Sequence, residues 1–318
     1  MTLIPTLRLS LEMTNVLTRI EMNGLKINLD TLHEIEKEYN EELSYLETKL
    51  QTMAKEAMGD TPVNLSSPDD RSVLLYSRKV RDKSMWGLTF NLGHEMRGNT
   101  MKPKLRTRMK ANVFIRNVRN MTDVVYKTVG QMCAGCLGNG RVRMVNKNGQ
   151  PSKVLNICKP CKGKGTRYRD TNEVAGFKIV PRNPKDTASA GFKTDKVTLE
   201  DRSLELSGDA REFCTSYSRY NAIRTYLSTF VEGMKNNVDD DGFVHPEFMQ
   251  CVTATGRLSS RNPNFQNMPR GSTFAIRKVV ESRFEGGFIL EGDYSQLEFR
   301  VAGFLAKDAQ AYKDVLDG

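Results

Sequence analysis

Four of the six cysteines stand in two copies of one pattern, CxxCxGxG: Cys133-Ala-Gly-Cys136-Leu-Gly138-Asn-Gly140 and Cys158-Lys-Pro-Cys161-Lys-Gly163-Lys-Gly165. Two residues between thiols make a knuckle that aims both sulfurs at one ion, and the glycines permit positive φ beside them. Two such knuckles, 21 residues apart, supply four thiolates, the donor set of a tetrahedral structural zinc. The residues between them, Arg141 to Ile157, are expected to form a hairpin turning at Asn148-Gly149. A redox pair would want one low-pKa thiol in a thioredoxin-like βαβ setting, and no such pattern surrounds these cysteines. Cys214 and Cys251 stand alone, so the count gives no disulfide framework and points to a reducing compartment.

A second chemistry is suggested near the C-terminus. Phe288-Ile-Leu-Glu-Gly-Asp293 reads as a short buried strand, and Gln296 to Leu305 as a helix with Leu297, Val301 and Leu305 on one stripe. Asp293 would then sit at a strand-to-helix junction, a usual place for a functional carboxylate. A hard oxygen donor there suits Mg²⁺. Taken alone, the pattern fits a structural cap equally well.

The remaining chain reads mainly as elements that position these groups. Leu7, Leu11, Leu17 and Ile20 recur at helical spacing before Gly24. A longer helix is expected from Asp30, as its cap, to Met58, with Gly59 ending it and a core stripe of Leu32, Ile35, Tyr39, Leu43, Leu46, Leu50 and Met53. Thr61 to Pro68 is turn-rich, and a short helix through Leu74 and Leu75 follows. The polar stretch around Pro181, Pro184 and Gly191 reads as linker. Helical periodicity returns from Glu205 to Lys235, and Asn236 to Gly242 reads as a tight turn.

The formal net charge is +10, but it is unevenly spread. Arg71 to Arg182 holds 25 Lys+Arg against 5 Asp+Glu, a net of +20, so the rest carries −10. From Arg97 to Arg119 there are eight basic residues and no acidic one. A block of that density usually meets a polyanion, most often nucleic acid. No apolar run approaches a membrane span, and no signal-peptide layout opens the chain, so no membrane and a cytoplasmic location (host cytoplasm if viral) are expected.

Thr253-Ala-Thr-Gly-Arg257-Leu-Ser-Ser260, PNFQNMP (Pro263–Pro269), Ile276-Arg277 and DYSQLEFR (Asp293–Arg300) resemble motifs of family A DNA polymerases, and of phage-type members in particular. More weakly, Glu12 to Leu32 with VNLSSP (Val63–Pro68) is similar to the family's approach to its thumb, and Asp241-Gly-Phe-Val-His245 to its lead-in to the palm. The resemblance implies an α+β fold: a helical thumb with a zinc-binding insertion plus a partial antiparallel palm sheet. The expected segments are 1–75 (palm base and thumb), 76–185 (basic insertion with the zinc module at 133–165), 186–240 (remaining thumb helices) and 241–318 (partial palm).

It also implies roles. Asp293 would bind both Mg²⁺ ions of a two-metal deoxynucleotidyl transfer, with ions about 4 Å apart, and Tyr294 would contribute its backbone carbonyl. Glu298 matches the gate that crowds a ribose 2′-hydroxyl. Arg257 matches the arginine that reaches minor-groove acceptors at the primer terminus. Asn264, Gln266 and Asn267 match polar positions near the template–primer, with turn-capping beside the prolines as their alternative. The helix with Arg224 resembles a thumb helix that touches DNA. Arg300 suits a structural ion pair equally well, and a stretch two residues short after Pro269 blurs the role of Arg270. Arg106, Arg108 and Lys110 would grip the duplex backbone.

The family's fingers motif and its His-Asp-Glu motif have no match here. One carboxylate cannot organise two metals, so the chain alone is expected not to extend a primer. A second polypeptide with fingers and remaining palm is the expected partner, beside primer–template DNA, dNTP and a processivity or replisome protein at the zinc module. The rival reading is a non-catalytic DNA-binding or zinc adaptor that retains a palm fragment. The cysteine pattern resembles the zinc module of DnaJ-type co-chaperones, but no His-Pro-Asp J-domain accompanies it.

Overall fold

The computed structural model describes residues 3–97, 100–105, 109–145, 150–269 and 273–317. Arg106, Arg108, Arg270 and the turn expected at Asn148-Gly149 lie outside the described residues. The helices are α1 (Leu3–Asn23), α2 (Leu29–Met58), α3 (Pro68–Tyr76), α4 (Lys83–Thr89), α5 (Ala111–Met121), α6 (Lys196–Glu205), α7 (Gly208–Tyr226), α8 (Glu232–Lys235), α9 (Leu297–Ala306) and α10 (Ala309–Asp317). The strands are β1 (Leu25–Ile27), β2 (Arg78–Val80), β3 (Leu92–Arg97), β4 (Thr100–Leu105), β5 (Thr122–Val124), β6 (Tyr126–Met132), β7 (Arg141–Val145), β8 (Pro151–Ile157), β9 (Thr166–Val174), β10 (Thr187–Ala188), β11 (Gly191–Phe192), β12 (Phe243–Val244), β13 (Glu247–Met249), β14 (Ser259–Arg261) and β15 (Val280–Glu281). Each of these strands pairs antiparallel, so the fold is the α+β mixture expected. No described helix is long and apolar enough to cross a membrane.

The chain divides into two compact units, Met1–Glu36 with Ser228–Gly318, and Lys37–Leu227. Its boundaries, after Glu36 and before Ser228, fall inside the segments 1–75 and 186–240 read from the sequence.

In the second unit, the stripe of α2 is core as expected: Tyr39, Leu46 and Leu50 are buried, with Leu43 and Met53 partly so. α3 starts as its sequence dictates, with Ser67 Oγ accepting from the Asp70 N–H at 3.3 Å and Pro68 in the first turn. Around Leu50, Leu74 and Leu75 packs an aromatic cluster. Trp86 lies 4.4 Å from Phe90 and 5.1 Å from Phe192, and Phe90 lies 5.5 Å from Phe114. The stretch read as linker is part of this core. Its 3-10 turn (Pro184–Asp186) and the hairpin β10–β11 place Phe192 inside, and Trp86 Nε1 donates to the Ala188 carbonyl at 2.8 Å. Asp186 is buried, paired with Arg202 and accepting from the Arg182 N–H at 2.9 Å. Polar composition misled here because a carboxylate and a guanidinium can be buried when they satisfy each other.

β6 and β9 form a ribbon with Tyr126 opposite Val174 at one end and Met132 opposite Thr166 at the other. Its root is held to the end of α2, where Asp60 N–H donates to the Thr128 carbonyl at 2.8 Å and Asp60 Oδ2 accepts from Gly130 N–H at 2.8 Å. β7 and β8 pair as the expected hairpin strands.

In the first unit, α2 is capped by Asn28, not Asp30: Asn28 Oδ1 accepts from the Thr31 N–H at 2.9 Å. Asn28 holds the position that precedes the first turn, where a side-chain oxygen meets free N–H groups. α1 ends at Gly24, whose φ is +62° and where a Cβ would lie 2.7 Å from His245 Cε1. Leu17 is buried, but Leu7 and Leu11 are exposed. A three-stranded sheet runs β12-β1-β15, with Lys26 opposite both Phe243 and Glu281. The turn expected before β12 is present. Asp239 Oδ1 accepts from Asp241 N–H at 3.0 Å and Phe243 N–H at 2.7 Å, and Gly242 has a φ of +80°.

The buried strand expected at Phe288–Asp293 is not there. Those residues join no strand, and Phe288, Ile289 and Leu290 are exposed. An apolar run becomes a strand only where it joins a ladder, and no strand of this unit pairs with these residues.

Candidate functional site

The four motif cysteines converge. Cys133, Cys136, Cys158 and Cys161 are all buried, and their sulfurs lie within 4.8 Å of one another. Cys133 Sγ and Cys158 Sγ are 3.8 Å apart, Cys136 Sγ and Cys161 Sγ 3.6 Å. Zinc–thiolate bonds of about 2.3 Å in a tetrahedron place sulfurs roughly 3.8 Å apart, so the donor set and its spacing fit zinc. Among the described residues this is the one group of three or more potential metal ligands.

The glycines explain how two short loops reach this arrangement. Gly140 N–H donates to Cys136 Sγ at 3.2 Å, and Gly165 N–H to Cys161 Sγ at 3.3 Å. Each knuckle also bonds the other, Cys133 N–H to Gly165 O at 2.8 Å and Cys158 N–H to Gly140 O at 2.9 Å. A Cβ on Gly165 would lie 2.1 Å from the Gly138 oxygen, and one on Gly140 2.2 Å from the Gly163 oxygen. Only glycine fits where two backbones approach so closely at positive φ. Burial pushes the Cys158 thiol up to about 12. At Cys161 burial also pushes up, but the Gly165 N–H and neighbouring sulfurs outweigh it and bring the thiol down to about 7.

The C-terminal constellation lies in the other unit and is open. Asp293 and Tyr294 are exposed, and α9 begins four residues after Asp293 at Leu297, as expected. Glu298, in the first turn of α9, forms an ion pair with Arg257, so the structure joins the two motifs they belong to. Thr253 Oγ1 donates to the Arg257 carbonyl at 2.7 Å, closing the TATGR loop on itself. Asn264 Oδ1 accepts from the N–H groups of Gln266 at 3.1 Å and Asn267 at 3.2 Å. Its carbonyl therefore caps the 3-10 turn Phe265–Asn267, the alternative weighed for these amides, while the Gln266 and Asn267 side chains are exposed.

Sequence reasoning gave no role to Arg277, yet it ties this region together. Its Nη1 donates to Glu291 Oε1 at 2.8 Å and its Nε to the Pro269 carbonyl at 3.2 Å. The signal was present as a lone arginine in a motif followed by the acid Glu291 in FILEGD, beside Asp293. Arg300 Nε donates to the Ser295 carbonyl at 2.6 Å, a structural bond in place of an ion pair. In the second unit, Arg224 reaches Ser66 Oγ at 3.4 Å. Lys110 is exposed at the N-terminus of α5, with no side-chain cap bond.

Residues 174–317 match the family described as DNA polymerase family A. The chain is similar to DNA polymerase I of Streptococcus pneumoniae, 38% identical over 101 residues, covering 31% of this chain and 12% of that protein. DNA polymerase I of Treponema pallidum is 43% identical over 131 residues, covering 41% and 12%. The DNA polymerase of Bacillus phage SP01 is 36% identical over 119 residues, covering 34% and 13%. The matched stretch thus spans about an eighth of each of these relatives. Among solved structures, the POL domain of Pol1 from M. smegmatis, in complex with DNA primer-template and dNTP, aligns over 94% of this chain and 34% of that one, with 17% identity and a TM-score of 0.46.

Proposed function

We propose that this chain supplies the thumb and first palm motif of a template-directed, phage-type DNA polymerase. The observation that carries the reading is the match of residues 174–317 to DNA polymerase family A, a span that includes all four quoted motifs in family order. The Arg257–Glu298 pair supports it by linking two of these motifs, and the bond from Arg277 to Glu291 ties a third to the segment just before Asp293.

Asp293 is the metal-binding carboxylate of this reading, with the Tyr294 carbonyl beside it. Both are hard oxygen donors suited to Mg²⁺. When bound, the two divalent ions would supply a more acidic primer hydroxyl and a stabilised leaving group. Asp293 is exposed and belongs to no cluster of three or more ligands among the described residues, and in this reading the second catalytic carboxylate is supplied by the second polypeptide. Glu298 selects the deoxy sugar by crowding, and Arg257, Gln266 and Asn267 contact the primer–template. Asn264 positions that loop through its cap.

The exposed run Phe288, Ile289, Leu290, Tyr294, Phe299 and Phe304 fits a surface covered when a second polypeptide adds fingers and the remaining palm. Arg106, Arg108 and Lys110 would hold the duplex backbone, and the cysteine module would hold one structural zinc. The decisive experiment mixes the chain with a polypeptide bearing the family's fingers helix and His-Asp-Glu motif. Mg²⁺-dependent primer extension should appear only in the mixture and vanish with Asp293→Asn. Extension by the lone chain would refute the split arrangement. A mixture that binds DNA but never extends it would favour the non-catalytic adaptor.

A further inference from the structure

The two zinc knuckles are an internal comparison. Their backbones make the same bonds at nearly the same lengths, 2.8 and 2.9 Å between knuckles and 3.2 and 3.3 Å from glycine to sulfur. Even the residue after the second cysteine matches, with φ of 49° at Leu137 and 51° at Lys162. The side chains around the ligands do not match. Where the first knuckle has Ala134, Leu137 and Asn139, the second has Lys159, Lys162 and Lys164, all exposed. The first knuckle closes without a single lysine, so neither the fold nor the sulfur site demands three in the second. Neutralising a zinc–tetrathiolate dianion would not explain them either. From Thr128 to Arg169 there are nine basic residues and no acidic one.

The stripe continues along β9. Arg167 and Arg169 are exposed and, two apart on a strand, share a face at a spacing of roughly 7 Å. They stand opposite Gln131 and Val129, which bring no counter-charge. Along the sequence the next acids are Asp170 and Glu173, with Glu173 paired with Lys127 at 2.6 Å, while Asp60 meets the ribbon at Gly130. Lys159, Lys162, Lys164, Arg167 and Arg169 thus follow one another, all exposed, along the second knuckle and into β9.

We infer that this face of the zinc module, the second knuckle with β9, binds the phosphodiester backbone of nucleic acid without reading sequence. A dense run of exposed cations with no acid among them suits a polymer that carries one charge per phosphate. The inference rests on the polymerase reading only for its choice of DNA as the polyanion.

The test is fluorescence anisotropy of the full zinc-loaded chain with labelled primer–template duplex, across a salt series without Mg²⁺ or dNTP. The variant K159A/K162L/K164N carries side chains that the first knuckle already accommodates. It should keep one zinc per chain, while the slope of log affinity against log salt falls in magnitude by about 2.7, for three lost phosphate contacts. If that variant loses zinc, R167Q/R169Q decides instead, with an expected fall of about 1.8. An unchanged slope and affinity would overturn the inference. So would polyglutamate displacing the duplex as well as unlabelled DNA does, which would assign the face to an acidic protein. Neither failure touches the polymerase reading, which is tested by extension through Asp293.

Discussion

Arg277 Nη1 lies 2.8 Å from Glu291 Oε1, two residues before Asp293, while its Nε holds the carbonyl of Pro269. One guanidinium thus fixes the end of the PNFQNMP loop relative to the segment carrying the candidate metal-binding acid. Both partners are exposed, 42% and 78%, so the pair contributes under about 1 kcal/mol to stability. Arg277→Gln should leave thermal unfolding nearly unchanged but lower kcat for primer extension in the completed enzyme several-fold, with a smaller effect on the dNTP KM. A large loss of stability with normal extension would make Arg277 a purely structural residue.

Glu298 and Arg257 restrain each other, so their substitutions should not be independent. Glu298→Ala should raise ribonucleotide incorporation and also free Arg257. In a double-mutant cycle with Arg257→Ala, primer extension should show coupling between the two, as contacting residues do. Unchanged sugar selectivity in Glu298→Ala would remove the gate assignment.

Zinc should bind at one ion per chain and depend on all four sulfurs, because ligand removal leaves an open, charged site. Cys158→Ser should abolish stoichiometric zinc by elemental analysis. The single tryptophan, Trp86, sits in a separate aromatic cluster. Its fluorescence should therefore stay native while hydrogen exchange at residues 133–145 and 154–165 accelerates.

Gly165→Ala tests the close approach of the knuckles. Its φ is +75° and the new Cβ would lie 2.1 Å from the Gly138 oxygen, so backbone must move. Zinc affinity, measured by competition with a chromogenic chelator, should fall by tenfold or more, equivalent to about 1.4 kcal/mol or above. Gly87→Ala, where a Cβ meets nothing within 4 Å, should leave it unchanged.

Acid should loosen the turn before β12. The Phe243 N–H, then the His245 ring, hold the Asp239 carboxyl below the usual carboxylate range. A depressed folded value means this contribution is complete above the unfolded carboxylate pKa of about 3.9 and is lost as pH falls through the folded one. The stability difference between wild type and Asp239→Asn should therefore shrink as pH drops below about 4. A difference constant down to pH 2 would contradict it.

Much of this was legible in residue spacing. The α2 stripe, the Asp239–Gly242 turn and the cysteine knuckles each follow from local rules: periodicity, turn chemistry and paired thiols. What escaped depended on distant partners. Phe288–Asp293 has strand composition but no ladder neighbour, and the stretch around Asp186 looked like linker because Arg202, sixteen residues on, could not be seen to neutralise it. Asn28 displaced Asp30 as cap because boundaries are set by the first free N–H groups, and composition places them only to within a residue or two. In the candidate site the residue types were readable, but their pairing, Arg257 with Glu298 and Arg277 with Glu291, required the fold.

Gln131 and Arg167 are paired partners in the β6–β9 ribbon, beyond the bonds that tie Thr128 and Gly130 to Asp60, so the chain leaves the ribbon after one and returns to it at the other, at one spot. Such an arrangement makes the cysteine module a detachable cassette. It can be lengthened, exchanged or cut out by joining two neighbouring chain ends, and the helices beneath would register the change only at that single seam.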